Sequence, residues 1–155
     1  MIKEVSGHDE LKRAIELVNR VFEEFVAVDY GEEGNKTFST YLEYKLDELT
    51  DDLASGNKRM WVYYDNGQLA GVAAVRGVNH VSLLFVDKRF QHRGIARALT
   101  EHMINEVVQT HPDVTEFTVN SSPYAVEVYE RMGFVPTDAM QTTDGIIYRP
   151  MKRKL

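Results

Sequence analysis

The chain of 155 residues has no cysteine. This absence excludes disulfide bonds, thiolate metal ligands and a covalent cysteine acyl-enzyme. Basic residues are also outnumbered, because 18 Lys and Arg stand against 24 Asp and Glu, for a formal net charge of −6. Nucleic-acid binding needs a basic surface, so this balance argues against it. The basic residues 152–154 are expected to be a solvated end rather than a binding patch.

Long apolar runs are absent from the sequence as well. No stretch approaches the roughly 20 apolar residues of a membrane span, and the first residues, with Lys3 and Glu4 among them, lack the apolar core of a signal peptide. We therefore expect a cytoplasmic protein with no membrane contact. The length, with 43% hydrophobic residues, suits one domain over residues 1–155.

Apolar spacing and turn signals predict the order of the secondary-structure elements. We expect a strand, two helices, three strands, a helix, a strand, a helix and two strands. They cover about residues 2–5, 11–25, 37–53, 59–64, 68–78, 80–86, 93–110, 115–120 and 123–132, then a strand that begins at 134–135 and a last strand over 146–151. The second, third and fourth strands should be antiparallel because their connections are short. The fifth should lie parallel to the fourth across a helical crossover.

The fourth predicted strand, residues 80–86, should have two unlike faces. Alternation places an apolar set on one face and a mixed set on the other. The apolar set is Val81, Leu83 and Phe85, and the mixed set is His80, Ser82, Leu84 and Val86. For the polar His80 two explanations stay open, namely a hydrated or hydrogen-bonded place near the sheet end, or a chemical role.

The turn after this strand has the composition of an anion site. A glycine, Gly94, stands at the mouth of the next helix, where backbone N–H groups lack intrahelical partners. Such a corner binds phosphates, and four cations share the segment: Lys88, Arg89, Arg93 and Arg97. The carboxyl ends of two parallel strands meet there, which is where ligands bind in open α/β sheets.

A second block, residues 120–134, predicts a short helix framed at both ends. Ser122 is suited to the N-cap and Pro123 to the first helical position. Gly133 is suited to the position just after the helix, where a left-handed backbone is common.

The two blocks resemble those of the GNAT superfamily of acetyl-CoA-dependent N-acetyltransferases. Residues 91–96, Gln-His-Arg-Gly-Ile-Ala, match the pattern Q/R-x-x-G-x-G/A. The second block is similar to N-x-x-A-x-x-x-Y-x-x-x-G-F, and the matching residues are Ala125, Tyr129, Gly133 and Phe134. Ser122 stands where that pattern has asparagine, and the nearby Asn120 is out of register. The resemblance covers roughly residues 59–134.

The resemblance implies an α/β (α+β) fold, with a mixed, mostly antiparallel seven-stranded sheet, a parallel pair formed by the fourth and fifth strands, and about four helices. It implies acetyl-CoA as co-substrate and transfer of the acetyl group to a primary amine by direct attack in a ternary complex. The residues expected to hold acetyl-CoA are Phe85, Val86, Gln91, His92, Arg93, Gly94, Ile95, Ala96, Arg97 and Ser122.

The resemblance also implies the catalytic groups. Tyr129 matches the tyrosine that assists the leaving thiolate, although core packing would also explain a tyrosine on this helix. Backbone N–H groups near Phe85 and Val86 are expected to stabilise the oxyanion. In this family the fourth and fifth strands splay apart and leave such donors free. Several members have a glutamate eleven residues before the anion motif, and His80 occupies that place. A neutral imidazole is a competent base near pH 7.

The sequence gives fewer indications of the residues that bind the acceptor amine. The acidic loop after the first helix borders the acceptor cleft in this family, so Asp29, Tyr30 and Glu33 are expected to bind a cationic amine, with a merely solvated loop as the alternative. The acceptor is a small-molecule or peptide amine, and a homodimer is left open. No metal is expected, since the histidines lack a paired spacing suited to zinc.

Two other functions are compatible with a protein of this size and composition. A non-catalytic acetyl-CoA-binding sensor or interaction module would share the fold, but the presence of Tyr129 counts against it. A nucleotide-binding protein of another kind is disfavoured, because the chain has neither G-x-x-x-x-G-K-[ST] nor G-x-G-x-x-G.

Overall fold

The structure, a computed structural model, describes residues 1–26, 31–34, 36 and 46–155. The helix start predicted at Thr37 lies outside these residues, as do Asp29 and Tyr30. The helices α1 to α4 span His8–Val21, Leu46–Ser55, Ile95–Thr110 and Val126–Arg131. None of the helices in the described ranges is long and apolar enough to cross a membrane.

The strands follow the predicted order. The strands β1 to β8 span Ile2–Glu4, Lys58–Asp65, Gln68–Arg76, His80–Val86, Glu116–Ser121, Val135–Pro136, Gln141–Thr143 and Ile146–Lys154. Shorter helical turns lie at Phe22–Val26, which is π-helical, and at Lys88–Phe90 and Pro123–Ala125, which are 3-10.

One mixed sheet joins the strands in the order β1-β2-β3-β4-β5-β8-β6, with β7 paired to β8. The β4–β5 pair is parallel and the other pairs are antiparallel, so the predicted mixed sheet is confirmed. The described residues contain eight strands rather than the expected seven, because β7 forms a hairpin with β8 around Asp144 and Gly145. Three residues are too few for a period-two pattern to reveal.

Each face of the sheet is covered by a separate apolar cluster. On the face that we call the α1 face, Val62, Val72 and Leu83 pack with Leu11 and Val18 of α1. On the opposite face, called the α3 face, the strands pack against α3 and α4; this cluster includes Trp61, Ala73, Phe117, Leu99, Met103, Phe134 and Met151. The first helix thus turns an apolar stripe to the sheet, on which Leu11 and Val18 are buried.

A β-bulge in β4 reverses part of the predicted alternation. Ala74 pairs with Leu83 but Val75 pairs with Val81, so Ser82 is the extra residue. The prediction that Val81 shares a face with Leu83 and Phe85 is therefore wrong. Val81 lies with Leu84 and Val86 on the α3 face, and the residues on the α1 face are His80, Leu83 and Phe85.

Candidate functional site

A cleft opens where β4 and β5 part. Their parallel pairing is registered at His80–Thr118 and Val81–Val119, at the amino end of β4. Towards the carboxyl end of β4 lies a cavity of about 680 Å³. Its walls come from β4, β5, the start of α3, α4, the end of α1 and the β7–β8 hairpin.

Most of the residues predicted to hold a cofactor line this cleft. They are Phe85, Val86, Gln91, His92, Gly94, Ile95, Ala96, Arg97 and Ser122. The remaining predicted residue, Arg93, turns its guanidinium elsewhere: Nη1 lies 3.3 Å from Oδ2 of Asp65, and the group lies 5.5 Å from the ring centroid of Phe90. The Arg93 side chain therefore supports the turn from outside the cleft.

The corner at Gly94 has the geometry of an anion site. Gly94 is the N-cap of α3 with φ of 79° and ψ of 13°, a left-handed conformation. No side chain of the described residues caps the helix, so the N–H groups of its first turn remain available. A Cβ at Gly94 would meet no protein atom within 4 Å and would instead occupy the space open to a ligand. These features fit the phosphates of acetyl-CoA.

Asp87 holds the connection between β4 and α3 in place. Its carboxylate is 3% exposed, accepts the Arg89 N–H at 2.9 Å and lies 2.7 Å from Nη2 of Arg20 on α1. Burial alone would raise the pKa of Asp87, but the hydrogen bonds from Arg89 and Arg20 outweigh burial and hold it below its usual value. Of the four cations in this segment, Arg89 is therefore bound to Asp87 within the turn.

The register of β4 determines which of its N–H groups face the cleft. In an antiparallel ladder, alternate residues bond to a given neighbour. The Asp87 N–H donates to the Ala70 carbonyl at 2.8 Å, so the paired positions assign the Phe85 N–H to β3. The N–H groups of Leu84 and Val86 therefore point towards the side of β5. Of the two N–H donors expected to stabilise the oxyanion, that of Val86 faces the cleft. The expectation for Phe85 is wrong, and the N–H of Leu84 faces the cleft instead.

The side chain of Gln91 supports the same edge of β4. Its Nε2 donates to the Val86 carbonyl at 3.0 Å. Arg97 ties the start of α3 to the end of α4, because Nη2 donates to the Arg131 carbonyl at 2.7 Å. The two walls of the cleft are in this way joined by side chains from residues 91–97.

The segment that carries Tyr129 is framed as predicted. Ser122 Oγ accepts the Ala125 N–H at 3.3 Å and caps a 3-10 turn that leads into α4. At the other end Gly133 has φ of 92°, and its N–H donates to the Glu130 carbonyl at 3.1 Å. The predicted N-cap and C′ residues are confirmed.

Tyr129 belongs both to the core and to the cleft. Its side chain is 5% exposed, its ring meets Phe134 edge to face, and it lines the cavity. Within the described part of the chain its hydroxyl has no hydrogen-bond partner. Burial raises the pKa of this hydroxyl well above its usual value, so Tyr129 is protonated at neutral pH.

His80 lines the cleft from the α1 face. Its Nδ1 lies 2.8 Å from Thr118 Oγ1 on β5. Burial, followed by the charge of Arg76, lowers the pKa of His80 to about 4, so the imidazole is neutral at pH 7. A base at Nε2 requires the tautomer in which Nδ1–H donates to Thr118. The hydrogen-bonded and the chemical explanations of this residue are therefore compatible.

The lining of the cleft also includes residues that sequence patterns did not single out. They are Val21, Phe22, Val26, Arg76, Asn120, Thr143, Asp144, Ile146 and Tyr148. The π-helical turn closes one side, because the Phe25 ring stacks on Tyr124 with centroids 5.2 Å apart. The Asp-Gly sequence at residues 144–145 is a turn signal that could have drawn attention to Asp144. Arg76 has no such local signal, because only strand pairing brings it to the site.

Of the three predicted acceptor residues, the structure describes Glu33. The backbones of Gly34 and Gly145 are so close that a Cβ on either would collide with the other. This contact puts the exposed Glu33 beside the β7–β8 turn, whose Asp144 lines the cleft. Asp29 and Tyr30 lie outside the described residues.

Known proteins resemble this chain in sequence and in fold. Residues 26–155 match the family model of the acetyltransferase (GNAT) domain. The peptidyl-lysine N-acetyltransferase YiaC of Escherichia coli (strain K12) is 27% identical over 86 residues, which are 56% of each chain. The matched segment thus spans little more than half the length of that curated relative.

Two crystal structures share the fold across the whole chain. A GCN5-related N-acetyltransferase (aminotransferase, class-II) from Rhodopseudomonas palustris has a TM-score of 0.79 and 17% identity, over 100% of this chain and 95% of the other. The PaiA N-acetyltransferase from Thermoplasma acidophilum, in complex with coenzyme A, has a TM-score of 0.75 and 15% identity, over 100% and 99%.

Proposed function

The chain belongs to the GNAT acetyltransferase family, and from that premise we propose that it is an N-acetyltransferase. It moves the acetyl group of acetyl-CoA to a primary amine by direct attack in a ternary complex. The observation that supports this most is the cleft itself, in which the Gly94 corner, Tyr129 and His80 border one continuous space.

Acetyl-CoA would bind along β4. Its phosphates would accept hydrogen bonds from the first turn of α3, beside Gly94 and Arg97. Its pantetheine arm would lie in the gap between β4 and β5, where the N–H groups of Leu84 and Val86 are turned. The Ser122 hydroxyl is already engaged as a cap, so its contribution to this arm would come from the wall that it forms. Bound acetyl-CoA supplies an acyl group activated as a thioester.

The transfer consists of one bond formed and one bond broken. The amine lone pair attacks the thioester carbonyl carbon and forms the C–N bond, while a proton leaves nitrogen for His80 Nε2 or a water beside it. The C–S bond then breaks and its electron pair leaves on sulfur as a thiolate, to which the Tyr129 hydroxyl donates a hydrogen bond. Uptake of one proton, which balances the proton lost from nitrogen, gives the thiol of coenzyme A. Holding both reactants in one cleft supplies much of the rate, and one of the two N–H groups, that of Leu84 or that of Val86, stabilises the charge on the oxygen.

At the start of the reaction Tyr129 and His80 act through hydrogen bonds more than through full proton transfer. Ordinary tyrosine and thiol pKa values, about 10 and 8.5, already make proton donation mildly uphill, and burial raises the pKa of Tyr129 further. His80, with a pKa of about 4, is a weak base towards a free ammonium. It accepts the proton late, when the forming C–N bond has acidified the nitrogen.

Several finer features belong to this proposal. The acceptor is a small-molecule or peptide amine, bound near Glu33 and near Asp29 and Tyr30, which lie outside the described residues. The enzyme acts without a metal ion and in the cytoplasm. A homodimer stays an open prediction.

Release of coenzyme A thiol, measured with a thiol-reactive dye, tests the proposal. The protein contributes no background because it has no cysteine. We expect thiol release from acetyl-CoA that depends on an added amine and follows saturation kinetics. Acetyl-CoA binding without turnover on any class of amine would instead favour the non-catalytic sensor, and would overturn the enzyme assignment.

A further inference from the structure

Four strands place a row of polar side chains across the α1 face of the sheet. Arg76 on β3 is paired with His80 on β4, His80 with Thr118 on β5, and Thr118 with Lys152 on β8. Residues paired in this way lie on the same face, and neighbouring strands are about 4.8 Å apart. The proposed base therefore lies within a row that has a cation at each end.

Arg76 differs from the other arginines of the cleft. Arg97 donates to a backbone carbonyl, and Arg131 lies 3.9 Å from Glu127. Arg76 lines the cleft and is exposed, and its guanidinium has no hydrogen bond or ion pair with any residue in the described part of the chain. Its charge nevertheless reaches the site, since after burial it is the second cause that lowers the pKa of His80.

Opposite charge also borders the cleft. Asp144, at the tip of the β7–β8 hairpin, lines the cavity, and Glu33 lies beside that tip. The lining of the cleft therefore carries a carboxylate as well as a guanidinium. A simple polycation would be repelled by Arg76, whereas a molecule with both charges would be matched.

Resting on the N-acetyltransferase function proposed above, we propose that the acceptor is a small amine that also carries a carboxylate, as an amino acid does, and that Arg76 binds this carboxylate. The planar guanidinium presents paired donors that match the two oxygens of a carboxylate. With the carboxylate on Arg76, the amine lies next to the paired neighbour His80. The carboxylate itself is unchanged by the transfer, and the product is the N-acetyl acid.

Free amino acids and lysines within a protein should differ in whether they use Arg76. The ε-amine of a peptidyl lysine has no carboxylate fixed beside it, so it would make no use of Arg76. An amino acid and its carboxamide differ in the charge that Arg76 would bind. Such pairs are therefore the decisive substrates.

Thiol release should be measured for a panel of amino acids and their carboxamides, with the amines matched in concentration of free base. The proteins are the wild type, Arg76→Gln, Arg76→Lys and the control Arg13→Gln, which removes an exposed arginine from α1. We expect the wild type to favour an acid over its carboxamide by about tenfold or more in kcat/KM, chiefly through KM. Arg76→Gln should remove most of this preference, Arg76→Lys should restore part of it, and Arg13→Gln should keep it.

Equal kcat/KM for acids and carboxamides in the wild type would overturn the proposal, and so would a preference that survives in Arg76→Gln. Faster turnover of lysine peptides than of any free amino acid, unaffected by Arg76→Gln, would overturn it as well. All three results still require an active acetyltransferase. Failure of the function itself is distinct, because it would appear as no thiol release with any amine.

Discussion

The carbonyl oxygen of Tyr129 accepts the N–H of Phe134 at 3.0 Å, and the two rings meet edge to face with centroids 5.3 Å apart. Together with the Gly133 N–H bound to the Glu130 carbonyl, this is a Schellman motif with its apolar contact. The end of α4 therefore fixes the backbone and the ring plane of Tyr129. The hydroxyl is held at the cleft by a local motif rather than by a hydrogen bond of its own.

We predict that Tyr129→Phe lowers kcat by about 10²-fold, because it removes the donor to the leaving thiolate. The ring contact with Phe134 is kept, so the free energy of unfolding should change by less than about 1 kcal/mol. Steady-state thiol release and urea unfolding measure the two quantities. The control Tyr63→Phe removes a hydroxyl outside the cleft lining. A wild-type kcat in Tyr129→Phe would show that this tyrosine only packs.

The pKa of His80 predicts a pH dependence of stability. The folded protein protonates His80 only near pH 4, whereas the unfolded chain does so near 6.5. Between these values the unfolded state binds more protons, so the free energy of unfolding falls as the pH is lowered from 6.5 towards 4. Urea unfolding at pH 7.0, 5.5 and 4.7 should show this loss in the wild type.

The variant His80→Asn isolates this contribution, since it removes the titrating group. Its free energy of unfolding should decline less than that of the wild type between pH 6.5 and 4.5. The carboxylates Glu10 and Asp87, whose pKa values are also lowered, lose their contribution below their ordinary values of 4.5 and 3.8. Parallel curves for the two proteins would mean that His80 is not desolvated in solution.

Asp87→Asn should destabilise the protein by about 1–3 kcal/mol, because it leaves the bonds from Arg20 and Arg89 without a charged acceptor. The same change loosens the turn that leads to Gly94, so acetyl-CoA affinity should also fall. The matched control is Arg89→Gln, whose native side chain is 66% exposed and whose loss should destabilise the protein much less than Asp87→Asn does. Equal stabilities of the two variants would contradict the central role given to Asp87.

The parts of the site that rest on local chemistry can be predicted from the sequence. Gly94, Ser122 and Gly133 each occupy a backbone position for which few residue types are suited, and all three are found there. The order of strands and helices follows in the same way from apolar spacing. These signals are contained in a few consecutive residues.

The remaining features depend on how distant strands pair. The bulge at Ser82 is set by the register of β4 against β3, and strict alternation therefore assigned Val81 to the wrong face. The same register decides that Leu84 rather than Phe85 turns its N–H to the cleft. Arg76 and Asp144 line one cleft only when the sheet has formed, so no local pattern connects them.

Calorimetric titration of acetyl-CoA into the wild type, Gly94→Asp and Gly56→Asp tests the central claim most directly. Both glycines have positive φ and open space around the Cβ position, with values of 79° and 84°, and Asp tolerates this conformation better than most residues. The two variants therefore share the backbone strain, but only Gly94→Asp puts a negative charge at the mouth of α3. We expect tight binding by the wild type and Gly56→Asp, and a loss of at least about tenfold in Gly94→Asp. Equal affinity in all three proteins, or no binding by the wild type, would contradict the assignment of this corner to acetyl-CoA.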